Sequence, residues 1–207
     1  MKNAIIFLFS ILHFASCKKD FEGIEIKGRI TEVGSGKPVS GAKVTIVGRG
    51  SDGSPWLSGG GISAIVDSVF TDANGHYSYR NVESPFGGYI ILISKDKYQP
   101  ANPPHGFDNG FPHNFDYQLQ PYAWVKIHLK NVNPFNAWDV VDVLGFEDPN
   151  LNFEYTGPNI DIQRIAKIYG NKKEVLTPFI TKNNIMTWYN IELNALAHDT
   201  IPIDIFY

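Results

Sequence analysis

Cysteine is almost absent from this sequence, because Cys17 is the single one among 207 residues. No disulfide can therefore form within the chain, and each domain has to be stabilised by its apolar core. Positive charge is not in excess either: 18 Lys and Arg stand against 21 Asp and Glu, for a formal net charge of −3. Proteins that bind nucleic acids carry clustered positive charge. We therefore expect no nucleic-acid partner.

Amphipathic helices and membrane-spanning runs are also missing from the pattern. No long window repeats its apolar residues every 3.6 positions, which is the period of an amphipathic helix. The apolar run that starts at Ala4 is shorter than the roughly 20 residues that a spanning helix needs. With Lys2 before it and small residues after it, the run fits the apolar region of a secretory signal peptide.

The N-terminus, MKNAIIFLFSILHFASC, ends in Ala-Ser-Cys, which resembles the lipobox of bacterial lipoproteins with Cys17 as the acylated residue. Phe14 stands where that motif usually has Leu. Lipidation would explain a lone cysteine in an exported chain, and the alternative is an ordinary signal peptide with an incidental cysteine. We predict a lipoprotein signal peptide over residues 1–16 and a lipidated polar tether over 17–23. The charged tether resembles those of Bacteroidetes outer-membrane lipoproteins, either periplasmic or surface-exposed.

Residues 24–100 contain short strands separated by turns. In Ile24–Thr31 apolar and charged residues alternate, as they do in a half-buried strand. GSGKPVSG is dense in turn formers and is followed by a second alternating stretch, Ala42–Val47. The letters DANG at Asp72–Gly75 separate two further strands, as in a β-hairpin. GGYIILIS then supplies another strand.

The succession GKPVSGAKVTI, TDANGHYSY, GGYIILI and a final Lys-x-Tyr resembles the carboxypeptidase regulatory-like domain. This resemblance covers residues 24–100 and implies a transthyretin-like, Ig-like Greek-key β-sandwich of about seven strands. Members of that family occur behind zinc carboxypeptidases, ahead of outer-membrane nutrient transporters and in surface lipoproteins. The resemblance therefore indicates a fold and leaves the activity open.

Two tryptophans are candidate binding residues. Trp56 lies in the loop Gly48–Gly61, which is longer than the family pattern needs, and Trp138 lies in the second half of the chain. An exposed tryptophan can stack on a sugar ring or a partner protein. The alternative for Trp56 is that it folds back over the edge of the sandwich, because tryptophan is mostly buried on average.

Residues 101–121 are rich in proline and predict a linker. In them PHGFD is echoed by PHNFD, which gives a repeated His-x-x-Asp spacing over His105, Asp108, His113 and Asp116. Imidazole and carboxylate groups are ligands for divalent metals. We favour a semi-extended connector that its phenylalanines hold against the sandwiches, and we predict no metal site.

Alternating segments separated by turn signals return from residue 122 to residue 207. The last of them places Ile201, Ile203 and Ile205 in one phase. This pattern predicts a second β-sandwich domain over 122–207. The predicted fold class is therefore all-β, with two tandem β-sandwiches.

Catalytic motifs are absent from the sequence. None of the six histidines is followed three residues later by Glu, which the His-x-x-Glu site of zinc carboxypeptidases requires. No Gly-x-Ser-x-Gly nucleophile elbow occurs. Asp139 and Asp142 form a pair of carboxylates close in sequence, and we expect both to be solvated. We predict a protein that is not an enzyme and uses no cofactor.

The sequence predicts a non-enzymatic cell-envelope lipoprotein that acts as a binding or scaffolding module. Its expected partners are the membrane, through the lipid anchor, and a glycan or an envelope protein. One alternative is a surface glycan-binding component of a nutrient-uptake system, which exposure of Trp56 or Trp138 would favour. The other is a metal-binding or accessory domain of a hydrolase, built on the His-x-x-Asp repeat.

Overall fold

The computed structural model describes residues 23–49, 63–82, 86–101, 106–108, 112–145 and 151–207. Cys17, Trp56 and His105 lie outside these residues. The described residues form strands and no α-helix, which confirms the all-β prediction. No helix among them is long and apolar enough to span a membrane. The strands are β1 (Ile24–Glu32), β2 (Lys43–Arg49), β3 (Ser63–Phe70), β4 (His76–Asn81), β5 (Gly88–Ser94), β6 (Pro112–Asn114), β7 (Tyr117–Leu119), β8 (Tyr122–Lys130), β9 (Val140–Gly145), β10 (Phe153–Thr156), β11 (Asp161–Tyr169), β12 (Lys172–Lys182), β13 (Ile185–Trp188), β14 (Ile191–Ala195) and β15 (Thr200–Phe206).

The first seven strands surround one apolar core. In sheet 1, β1 pairs antiparallel with β4 and parallel with β6 and β7; in sheet 2, β2 lies between β3 and β5. Ile24, Ile26 and Ile30 of β1 are fully buried, because alternate residues of a strand point to the same side. Each such side chain contributes about 1.5–3 kcal/mol by leaving water. Both sheets supply this core, whose other members include Val44, Ile46, Tyr77, Tyr79, Tyr89, Ile91 and Ile93.

The last eight strands surround a second core. Sheet 3 has the order β10-β9-β12-β13, with β14 also paired to β12, and sheet 4 has the order β11-β8-β15. β15 runs parallel to β8 and places Ile205 beside Leu129, and both side chains are buried. Both sheets again supply the core, which includes Val125, Ile127, Val141, Val143, Ile168, Leu176 and Leu193.

The described part of the predicted linker packs against the first half of the chain, and two of its segments are strands. β6 and β7 extend sheet 1, where His113 lies beside Ile26 and Leu119 beside Glu32. Phe107 is buried and its ring stacks on Tyr89 with a centroid distance of 5.6 Å. Prolines and very short strands gave no period-2 pattern here, so the pairing with β1 was not visible in the sequence.

Candidate ligand-binding surface

The outward side of sheet 3 carries large apolar side chains that the core does not use. On β12, Phe179 lies between Asp142 of β9 and Trp188 of β13. Its neighbour Ile180 is buried in the core, because successive side chains of a strand point to opposite sides. Trp188 and Met186 are each 62% exposed, and the rings of Phe179 and Trp188 lie 6.4 Å apart.

We call this side of sheet 3 the outer face. It consists of Val140, Asp142, Leu144, Glu154, Phe179, Thr181, Met186 and Trp188. A groove of about 340 Å³ crosses it. Asp142 and Glu154 lie directly opposite each other on β9 and β10 at this groove. Like charges in this position disfavour strand pairing, but two adjacent carboxylates can accept several hydrogen bonds from one ligand.

The loop before β9 presents Trp138, whose side chain is 80% exposed. Phe135 in the same loop is 58% exposed. Asp139 is in the same loop and is fully buried. The expectation that it is solvated was therefore wrong. Its Oδ2 accepts hydrogen bonds from the Phe135 backbone N–H at 2.7 Å and from Asn131 Nδ2 at 2.9 Å. Asp139 can be buried because these local donors satisfy its carboxylate oxygens.

Lys182 and Asp139 stabilise the loop that carries Trp138 (residues 131–139, the Trp138 loop) through hydrogen bonds and opposite charges. Burial raises the pKa of Asp139, but the hydrogen bonds it accepts and the positive charge of Lys182 outweigh burial and hold that pKa below its ordinary value. Lys182 also donates to Asn131 Oδ1 at 2.9 Å and to the Asn133 carbonyl at 2.6 Å. Asp139 is therefore ionised at neutral pH, and the loop that carries Trp138 is held at both ends.

A second buried carboxylate, Glu32, connects the two halves of the chain. Its Oε1 accepts hydrogen bonds from Ser35 Oγ at 2.6 Å and from Asn171 Nδ2 at 2.9 Å. Its Oε2 accepts one from the Tyr98 hydroxyl at 2.8 Å and lies 3.6 Å from His198 Nε2. Asn171 and His198 occupy turns of the second half, and both have the positive φ that Asn tolerates best.

The electrostatics of this Glu32 junction indicate a structural role. Burial raises the pKa of Glu32, but hydrogen bonds from Ser35, Tyr98 and Asn171 and the nearby His198 bring it below the ordinary value of 4.5. Burial and the hydrogen bond to Glu32 raise the pKa of Tyr98, so its hydroxyl keeps the donated proton. Every donor is already engaged, which leaves no group aimed at a ligand.

The described members of the His-x-x-Asp repeat serve the packing of sheet 1. The rings of His113, Phe107 and Phe115 form one cluster, in which the His113 centroid lies 5.1 Å from that of Phe107 and 5.7 Å from that of Phe115. Its Nε2 is 3.0 Å from the Asp108 carbonyl oxygen, a backbone atom of an exposed residue. The imidazole is therefore engaged by its own segment.

Asp116, the last member of the repeat, lies on the outward side of sheet 1. Its Oδ1 accepts a hydrogen bond from the Arg29 backbone N–H at 2.8 Å. The two residues border shallow grooves of about 560 and 400 Å³. In the part of the chain that the structure describes, no three His, Cys, Asp or Glu residues gather into a group that could hold a metal ion. His105 lies outside that part.

Sequence reasoning named Trp138, which lies on the surface, and missed Trp188 and Phe179. A signal for Trp188 was present, because Asn190 and Glu192 share its phase and polar companions indicate a solvent-facing side. No such signal marked Phe179. Phe179 is half-buried, and its place on the outer face depends on β12 being a central strand whose outward side no described strand covers, which is a property of the assembled sheet.

Residues 25–120 match the family model of the carboxypeptidase regulatory-like domain. The match continues past residue 100 and includes β6 and β7, the strands within the predicted linker. No curated protein matches the chain.

Several solved structures are similar to this chain. The Bacillus anthracis TIE protein is 13% identical with a TM-score of 0.38, over 89% of this chain and 34% of its own length. A streptococcal ancillary pilin is 13% identical with a TM-score of 0.36, over 89% and 63%. A DUF3823 family protein from Bacteroides uniformis is 11% identical with a TM-score of 0.32, over 83% and 98%. The chain thus spans about a third of the TIE protein's length.

Proposed function

We propose that this protein is a non-enzymatic binding module of the cell envelope, anchored through Cys17, whose outer face binds a glycan. The observation that carries the proposal is the composition of the outer face. There the exposed ring of Trp188 stands beside Phe179, and Phe179 lines one groove together with the carboxylates of Asp142 and Glu154.

This combination suits a polysaccharide. The apolar faces of sugar rings stack on aromatic rings, and sugar hydroxyls donate hydrogen bonds to carboxylates. Asp142 and Glu154 repel carboxylated sugars, so the expected ligand is a neutral or amino-bearing glycan. Trp138, on a loop that Asp139 holds in place, offers a further ring for a longer chain of sugars.

The state of the buried carboxylates supports a binding role over a catalytic one. Glu32 and Asp139 accept several hydrogen bonds from their own chain, and their pKa values are lowered. A carboxylic acid that donates a proton at neutral pH needs a raised pKa. Asp142 and Glu154 border an open groove, where they are suited to hold hydroxyl groups.

Calorimetric titration with a panel of neutral, amino-bearing and uronic-acid polysaccharides tests the glycan site. We expect Trp188→Ala to weaken binding by about tenfold, because an aromatic contact and its buried area are lost. Phe206→Ala is the matched control, since Phe206 is 49% exposed on sheet 4. Asp142→Asn should also weaken binding while leaving the fold intact.

Two outcomes would contradict this glycan site. One is that no neutral or amino-bearing polysaccharide binds the wild-type protein. The other is that Phe206→Ala weakens binding as much as Trp188→Ala, which would place the contact elsewhere.

The anchor is tested separately by intact mass of the native protein from its membrane fraction, before and after deacylation. We expect a chain that begins at Cys17 and carries acyl mass, and we expect the Cys17→Ser variant to lose both features. An unmodified chain that begins elsewhere would disprove the anchor and leave the glycan proposal standing.

A further inference from the structure

β13 leaves one edge of sheet 3 unpaired within the described residues. It pairs with β12, and no other described strand lies along its far side. All four of its residues are exposed, including Ile185, Met186 and Trp188 at 62–64%. An unpaired strand presents backbone N–H and C=O groups that another strand can use.

The turn before β13 determines which of its backbone groups face outward. Between Lys182 and Ile185 lie two asparagines with φ values of 50° and 60°, as in a two-residue type I′ turn. The residues that flank such a turn hydrogen-bond to each other, and the pattern alternates from there. The N–H and C=O groups of Met186 and Trp188 therefore point away from β12, toward the open edge.

Other edge strands of this half carry residues that discourage pairing. Glu154 lies on β10, Arg164 and Lys167 on β11, and Pro202 and Asp204 on β15. Charges and proline at an edge are the usual protection against unwanted strand addition. β13 contains neither a charged residue nor a proline. The contrast singles it out as an edge that is left available.

We propose that β13 pairs antiparallel with β13 of a second copy of this chain, about a two-fold axis at Thr187. In this register Met186 of each copy lies opposite Trp188 of the other. Met186 of one copy and Trp188 of the other can form two backbone hydrogen bonds, because the N–H and C=O groups of both residues point toward the open edge. Met sulfur and an aromatic ring form a favourable contact across strands.

A second copy fits this edge because the strand supplies both members of each pair. Thr187 meets Thr187 on the axis, and no charge on either strand opposes the contact. The axis stands perpendicular to the sheet, so the outer faces of the two copies lie on the same side. The pairing depends on backbone groups of the strand edge, and its side-chain contacts use Met186 and Trp188, which also belong to the outer face.

Cysteine cross-linking tests the register in the full chain with Cys17→Ser, where an introduced cysteine is the only thiol. Thr187→Cys should form a disulfide-linked dimer under mild oxidation, because directly opposite residues without mutual hydrogen bonds have Cα atoms about 4.5 Å apart, within disulfide reach. Ile185→Cys is the matched control, equally accessible but about 14 Å from its counterpart. Equal cross-linking of both variants would overturn the proposal.

Sedimentation of the uncross-linked chain supplies a second readout. Met186→Lys should weaken the dimer by about tenfold, because it removes the Met–Trp contacts and places charge on both strands. Ile165→Lys on β11 is the control, since Ile165 is 64% exposed, and it should leave the dimer unchanged. A chain that stays monomeric at all concentrations, or a dimer that Met186→Lys does not weaken, would overturn the proposal.

Discussion

Glu32 and Asp139 are both buried carboxylates, yet they organise the molecule on different scales. Asp139 accepts hydrogen bonds from residues three to eight positions away and fixes one loop. Glu32 accepts them from Tyr98 and Asn171, which are 66 and 139 positions away. The first carboxylate shapes a local surface, and the second connects the two halves of the chain.

The difference shows that burial alone does not define the role of a charged group. Both carboxylates have lowered pKa values, and in both cases donors from the chain outweigh the cost of burial. What separates them is the sequence distance of the donors. Loss of Glu32 should therefore be felt across the protein, and loss of Asp139 mainly in the Trp138 loop.

The largest expected effect is that of Glu32→Gln. The amide keeps the size of the side chain but turns a donor toward groups that themselves donate, so the free energy of unfolding should fall by about 2–3 kcal/mol. Urea denaturation measures this change. Glu192→Gln is the control: it breaks an exposed ion pair with Lys173 and should cost less than about 1 kcal/mol. If both variants lower the free energy of unfolding by the same amount, the Glu32 junction contributes no more to stability than an exposed ion pair.

Acid should reveal the same junction in the wild-type protein. The pKa of Glu32 is lower in the folded chain than its ordinary value of 4.5, so its stabilising contribution is complete above about pH 4.5. That contribution is lost as the pH falls through the folded-state pKa. Urea denaturation at a series of pH values should show the stability gap between wild type and Glu32→Gln narrowing below about pH 4.5. A gap that widens on acidification would contradict the assignment.

Asp139→Asn should act locally. Hydrogen exchange should become faster at the Phe135 and Asn136 amides, which lose a charged acceptor, while amides around Glu32 keep their protection. Glu32→Gln should instead speed exchange in both halves of the chain, because the donors to Glu32 come from both. If Asp139→Asn loosens the Glu32 junction as well, the two carboxylates belong to one cooperative unit.

The smallest expected effect on stability is that of Trp138→Ala. The ring is 80% exposed, so the free energy of unfolding should change by less than about 0.5 kcal/mol. Glycan binding should weaken all the same, because the ring is proposed to contact sugar. Thermal denaturation beside calorimetric titration separates the two quantities. A marked loss of stability would mean that the ring packs against the protein.

Much of the fold could be predicted from the alternation of particular residues. Ile24, Ile26 and Ile30 predicted a half-buried β1, and DANG predicted the turn before β4; both are present. The segment containing β6 and β7 could not be predicted, because strands of three residues among prolines carry too few positions for a period. The exposure of Trp138 stayed a hypothesis until its loop was placed.

The sequence by itself determined the strand periods, the turns and the match of residues 25–120 to a family model, since these depend on neighbours along the chain. Tertiary structure decided where the polar groups of distant segments meet. Glu32 finds Asn171 and His198 only when two turns of the second half reach β1, and Phe179 stays half-buried on the outer face because no described strand layer covers that side of sheet 3. Such contacts depend on how the sheets pack, and the alternation of side chains along one strand does not predict them.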